Sequence, residues 1–76
     1  MDEINYKKVK IFTEYITLGQ LLKFEGVISE GFEAKLFVNS HQIKVNNEKN
    51  SQRGKKLYPG YKIVIDDKLF FEIEKW

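Results

Sequence analysis

The chain has 76 residues, 42% of them hydrophobic and 14% aromatic, with 13 basic side chains, 11 acidic ones and no cysteine. Such a length suits one small domain with a thin core and little material to wall an enzyme pocket, while the aromatic content argues against disorder. Without cysteine there are no disulfides, thiolate metal sites or cysteine nucleophiles, and a domain this small without such staples is expected in a reducing compartment, the cytoplasm.

Val9-Lys10-Ile11-Phe12 is a short β-like run with one polar break and predicts a first strand at about residues 8–12. Thr17 then precedes an apolar-periodic stretch and Gln20 follows three residues later, the pattern of a capping box. Leu18, Leu21 and Leu22 fall on one face of the helix so opened, and Gly26 supplies its stop. A second helix is predicted over about residues 31–39, with Ala34, Phe37 and Val38 as its buried stripe. Phe32 and Leu36 form another apolar pair, four residues apart, on a different side of it. Ile43-Lys44-Val45 alternates as a strand with Lys44 facing out, and Asn46-Asn47 suits a tight hairpin turn because asparagine tolerates positive φ. Residues 50–56 read as a polar loop, and Pro59-Gly60 as a turn with proline pre-set at its first corner. Strands follow at 61–65 and about 68–73, joined by a turn at Asp66-Asp67. The predicted fold class is α+β: a two-helix hairpin packed on a small, mainly antiparallel sheet.

Charge is uneven along this frame. Residues 35–62 carry Lys35, Lys44, Lys49, Arg53, Lys55, Lys56 and Lys62 against Glu48 alone, a local net of +6 in a chain whose total is +2. A basic block in a near-neutral chain is the expected footprint of a nucleic-acid partner. No apolar run approaches the roughly 20 residues that span a bilayer, and Met1-Asp2-Glu3 has neither the basic start nor the apolar stretch of a signal peptide. The expectation is therefore a soluble chain with no membrane partner.

Residues 17–65 resemble the S-four (S4) RNA-binding domain. Thr17-Leu18-x-x-Leu21-Leu22-Lys23 matches its first helix, Ser29-x-x-x-Glu33-Ala34-Lys35 its second, and Ile43-x-Val45-Asn46-Asn47-Glu48 its hairpin. Ile16-Thr17-Leu18-Gly19-Gln20, Glu33-Ala34-Lys35 and the run from Arg53 through Gly54, Lys55, Lys56, Leu57 and Tyr58 to Pro59-Gly60 resemble the small stand-alone bacterial YaaA family. The resemblance implies one S-four-like domain over residues 1–76, with core motif 17–65 and flanking strands at about 8–12 and 68–73. It also implies an RNA-binding function. The helical hairpin would offer basic residues to the backbone of structured RNA, ribosomal RNA or an assembling ribosome, with ribosomal proteins as further partners. The matching positions are Lys23, Lys35, Lys44 and Asn46. Positions often basic in the family are Gly31 and Leu36 here, which shifts weight to Arg53, Lys55 and Lys56, with Tyr58 bordering them as a stacking residue.

Against these readings stand plainer ones. A lysine run is also what a solvated loop looks like. His41, the single histidine, has no cysteine or second histidine beside it and reads as a loop residue, not a metal ligand. Asp66-Asp67 needs no explanation beyond a turn. No nucleophile with a base, metal cluster or phosphate loop is discernible, so neither an enzyme, a cofactor nor a small-molecule substrate is expected. Phe32 and Leu36 are expected to be covered by strands from the chain ends. Uncovered, they would be a patch for a protein partner, the mark of an interaction adaptor on the same fold.

Overall fold

In a computed structural model, residues 4–76 are described; the Met1-Asp2-Glu3 segment read above lies outside the described residues. Nine elements follow in order: β1 (Lys7–Ile11), β2 (Ile16–Thr17), α1 (Leu18–Phe24), α2 (Glu33–Ser40), β3 (Ile43–Val45), β4 (Glu48–Lys49), β5 (Lys56–Leu57), β6 (Lys62–Ile65) and β7 (Leu69–Lys75). Five of the strands form one sheet in the order β1-β7-β6-β3-β4, antiparallel throughout except where β1 lies parallel to β7. The pair β2 and β5 forms a separate two-stranded ribbon, with Ile16 opposite Leu57.

Alternation decides the faces of the larger sheet, because successive strand side chains point to opposite sides. Val9 and Ile11, Ile43 and Val45, Ile63 and Ile65, and Phe71 and Ile73 all point to one side. There they meet Leu18, Leu21 and Leu22 of α1 and Ala34 and Val38 of α2 in a single buried cluster. Each fully buried aliphatic side chain contributes about 1.5–3 kcal/mol relative to exposure. The helices cover this face only.

The capping box of α1 is present in both directions: Gln20 N–H donates to Thr17 Oγ1 at 3.2 Å and Thr17 N–H to Gln20 Oε1 at 2.8 Å. The helix closes with Gly26 at φ 73°, where Val27 N–H donates to Leu22 O and Gly26 N–H to Lys23 O. Glycine takes this left-handed conformation without steric cost. Helix α2 starts two residues later than the sequence suggests. Residues 29–32 form a bend and a turn instead, and Glu33 reaches back to accept the Glu30 N–H at 2.9 Å. Both predicted hairpin turns are left-handed pairs: Asn46 and Asn47 at φ 52° and 71°, Asp66 and Asp67 at 54° and 52°. Short polar side chains tolerate that region best among residues with a Cβ.

One expectation is corrected. Phe32 and Leu36 are 77% and 73% exposed. The terminal strands do not cover them, because the alternation of β1 sends Val9 and Ile11 into the core and pairs the strand with β7 at the sheet edge.

Candidate nucleic-acid interface

The first amide groups of an α-helix have no partner within the helix. In α1 they are met by the loop that carries the basic run. Leu18 N–H donates to Lys55 O at 2.9 Å and Gly19 N–H to Arg53 O at 2.8 Å, while Thr17 takes the third. The loop is braced along its length as well. Asn50 N–H donates to Ile43 O, Gln52 N–H to Asn50 Oδ1 and Lys55 N–H to Gln52 O. Lys56 and Leu57 then pair with β2, and Leu57 is fully buried. A polar stretch that reads as slack is thus held by its own backbone against a helix end.

Gly19 shows how closely the pieces approach. A Cβ on this residue would stand 3.3 Å from both Arg53 O and Ala34 Cβ, and 3.6 Å from Arg53 Cβ. The loop, α1 and the first turn of α2 therefore meet at one point, with Arg53 on one side and Lys35, the residue after Ala34, on the other. Arg53, Lys35 and Lys56 are exposed, and Lys55 is half-buried.

The charges at this junction are uncompensated among the described residues. Three ion pairs are formed: Lys7–Glu25 at 2.7 Å, Lys8–Glu72, and His41–Asp66 at 2.6 Å. None involves Lys23, Lys35, Arg53, Lys55 or Lys56. The Glu33 carboxylate, the nearest acid in sequence to Lys35, is occupied in closing the start of α2. Lys56 lies over the Tyr15 ring at 5.0 Å, a cation–π contact that leaves its charge in place.

Tyr58 is exposed and forms the middle of an aromatic row, 5.6 Å from Tyr15 and 5.7 Å from Tyr61 by ring centroid. Its ring lies next to Tyr15, the ring under the Lys56 ammonium. Lys23 is exposed in the last turn of α1, about 7 Å along the helix axis from the loop junction.

Two predicted residues do not join this surface. Lys44 sits between the buried Ile43 and Val45, so it points to the sheet face opposite the helices, where it stands across from Lys49. Asn46 ties its hairpin turn to β6: its Oδ1 accepts the Lys62 N–H at 2.9 Å, and its N–H donates to Lys62 O. The sequence pattern missed Gly19 and Tyr15, because the pairing of two-residue strands that assembles them leaves no periodic signal.

His41 is more than a loop residue. It follows α2, stacks on Phe37 at 4.0 Å and places Nδ1 on Asp66 Oδ2, while Gln42 N–H donates to Asp66 Oδ1 at 2.9 Å. The His41 hydrogen bond, followed by that of Gln42, holds the Asp66 carboxyl below its ordinary pKa. This contact ties the end of the helical hairpin to the β6–β7 turn. Among the described residues there is no cluster of three or more side chains able to hold a metal ion, and no helix is long and apolar enough to cross a membrane.

Comparison with known proteins places these features in context. The chain is 47% identical over 58 residues to the probable ribosome maturation protein RlbA of Bacillus subtilis (strain 168), an alignment covering 76% of this chain and 82% of that protein. The family model described as the S4 domain matches residues 9–73, from β1 to β7, and so includes both helices, the hairpin and the braced basic loop. The chain belongs to the S4 domain family.

Proposed function

We propose that this chain is an RNA-binding module that acts in ribosome maturation, in the bacterial cytoplasm, and carries out no reaction of its own. The whole of residues 1–76 acts as one binding unit, with 17–65 as the core motif. Its target is structured ribosomal RNA in an assembling particle, and ribosomal proteins are its neighbours there. Membership of the S4 family and the likeness to a probable ribosome maturation protein support the setting. The observation that carries the reading is the loop at 50–57, pinned by its carbonyls to the start of α1 while its cations stay outside every ion pair formed among the described residues.

The mechanism is electrostatic. Arg53 presents a planar fork that holds one phosphate through two hydrogen bonds, and Lys35, Lys55 and Lys56 add point charge. Each phosphate neutralised releases condensed counterions. Because the loop is already ordered, little conformational entropy is lost on binding. A-form RNA hides its base edges in a deep groove, so such a surface reads shape and backbone, not sequence. Tyr58 offers an unpaired base a ring at the border, and Lys23 extends the field along α1.

Crosslinking in cells tests the reading. Ribosomal RNA recovered with the wild-type chain, and lost with the double variant Arg53→Glu/Lys55→Glu, is the expected result; recovery that is equal for both would contradict it. The exposure of Phe32 and Leu36 favours a second reading, an adaptor that binds a protein partner through α2. Under that reading Leu36→Lys abolishes a partner pull-down that survives nuclease treatment, and Arg53→Glu/Lys55→Glu leaves it intact.

A further inference from the structure

The face of the larger sheet that the helices leave open has a composition of its own. Lys44 and Lys49 stand directly opposite each other on neighbouring strands, an arrangement of like charges that costs stability unless something negative lies between them. Lys62 lies over the Tyr6 ring at 5.1 Å, and Tyr6 meets Phe70 edge-on at 5.7 Å. A shallow pocket of about 280 Å³ opens beside them, lined by Tyr6, Asn46, Asn47, Lys62 and Val64. At the far edge Phe12 and Trp76 pack together at 4.7 Å, 76% and 70% exposed, with the Lys10 ammonium over the indole at 5.3 Å. The acids on this face are Glu72, which is held by Lys8 and stands opposite Lys62, and Glu74, which stands opposite Lys10.

Lysines beside aromatic rings, Trp76 exposed and Tyr6 half-buried, match the chemistry of an unpaired nucleic-acid strand: phosphates take the ammonium groups and bases take the ring faces. A duplex keeps its base faces stacked and offers nothing to those rings. An acidic protein would meet the charge but leave the exposed Phe12–Trp76 pair without a counterpart. We propose that the open face of the sheet is a second RNA surface, which holds an unpaired strand with its bases on Tyr6 and Trp76 and its phosphates on Lys10, Lys44, Lys49 and Lys62. This rests on the proposed RNA-binding function and extends it. The loop side grips a folded RNA element while the sheet side holds a single-stranded segment.

Trp76 is the only tryptophan, so its fluorescence reports from this edge of the sheet, where it packs on Phe12. Titration of the full chain with oligouridylate of about ten nucleotides is expected to give saturable quenching that weakens as salt rises. Lys44→Gln/Lys49→Gln reduces uridylate affinity on the order of tenfold at 0.1 M salt and leaves the band shift of a structured RNA in place. Arg53→Glu/Lys55→Glu does the reverse. Absence of quenching at low salt overturns the proposal, as does quenching that is insensitive to Lys44→Gln/Lys49→Gln. Equal quenching by polyglutamate, with the same response to the variants, assigns the face to an acidic protein and also overturns it. A wild-type chain that shows uridylate quenching but no structured-RNA shift counts against the loop surface and not against this one.

Discussion

Arg53 and Asp66 illustrate two opposite uses of a charged side chain in one small fold. Arg53 contributes its backbone carbonyl to the start of α1 and leaves its guanidinium outside the ion pairs of the described residues, so the backbone anchors while the side chain stays unengaged by them. Asp66 is fully engaged, by His41 and by Gln42 N–H, in a left-handed turn. Its carboxyl is held below its ordinary value, chiefly by the His41 hydrogen bond. A depressed carboxyl stabilises the fold above its unfolded pKa, and that contribution is lost as pH falls through the folded one. Urea denaturation measured at a series of pH values below 3.8 should therefore show stability falling with pH, and Asp66→Asn should flatten that fall without changing its sign. Gly19 gives a steric prediction. With Arg53 O and Ala34 Cβ both 3.3 Å from a would-be Cβ, Gly19→Val forces the loop or α2 outward and should cost roughly 1–3 kcal/mol in urea unfolding.

Among the elements, those that announce themselves by local pattern were legible in the sequence. The Thr17–Gln20 box, the leucine face of α1, the glycine stop at Gly26 and the paired asparagines and aspartates each state a backbone requirement within four residues. Residues that act over distance were not. Strands β2 and β5 are two residues long, shorter than any alternation can reveal, yet their pairing sets the basic loop against α1. Lys44 was legible as facing outward, but the side it faces depends on where the helices pack, and it lies away from the loop junction. Asn46 shows the same limit: its tolerance of positive φ was legible, and its bond to Lys62, sixteen residues on, was not. That bond makes Asn46→Ala the informative hairpin variant. It removes the carboxamide acceptor and keeps a Cβ at φ 52°, and should destabilise the chain by about 1–2 kcal/mol in chemical denaturation. Asn47→Gly keeps the bond and eases the turn, so it should be neutral or slightly stabilising.

Across the molecule, the sheet has one face covered by helices and one left open, and the basic residues divide between a helix-and-loop side and a sheet side. A net charge of +2 conceals this division. The central claim is that the loop at 50–57 is a phosphate-binding surface built in advance of its ligand. The salt dependence of affinity for a structured ribosomal RNA fragment, compared between wild type and Arg53→Glu/Lys55→Glu, tests it most directly. The account predicts that log K falls linearly with log salt for the wild type, and that the double variant binds more weakly with a slope shallower by about 2. Equal slopes for the two proteins, or wild-type binding indifferent to salt, would contradict it.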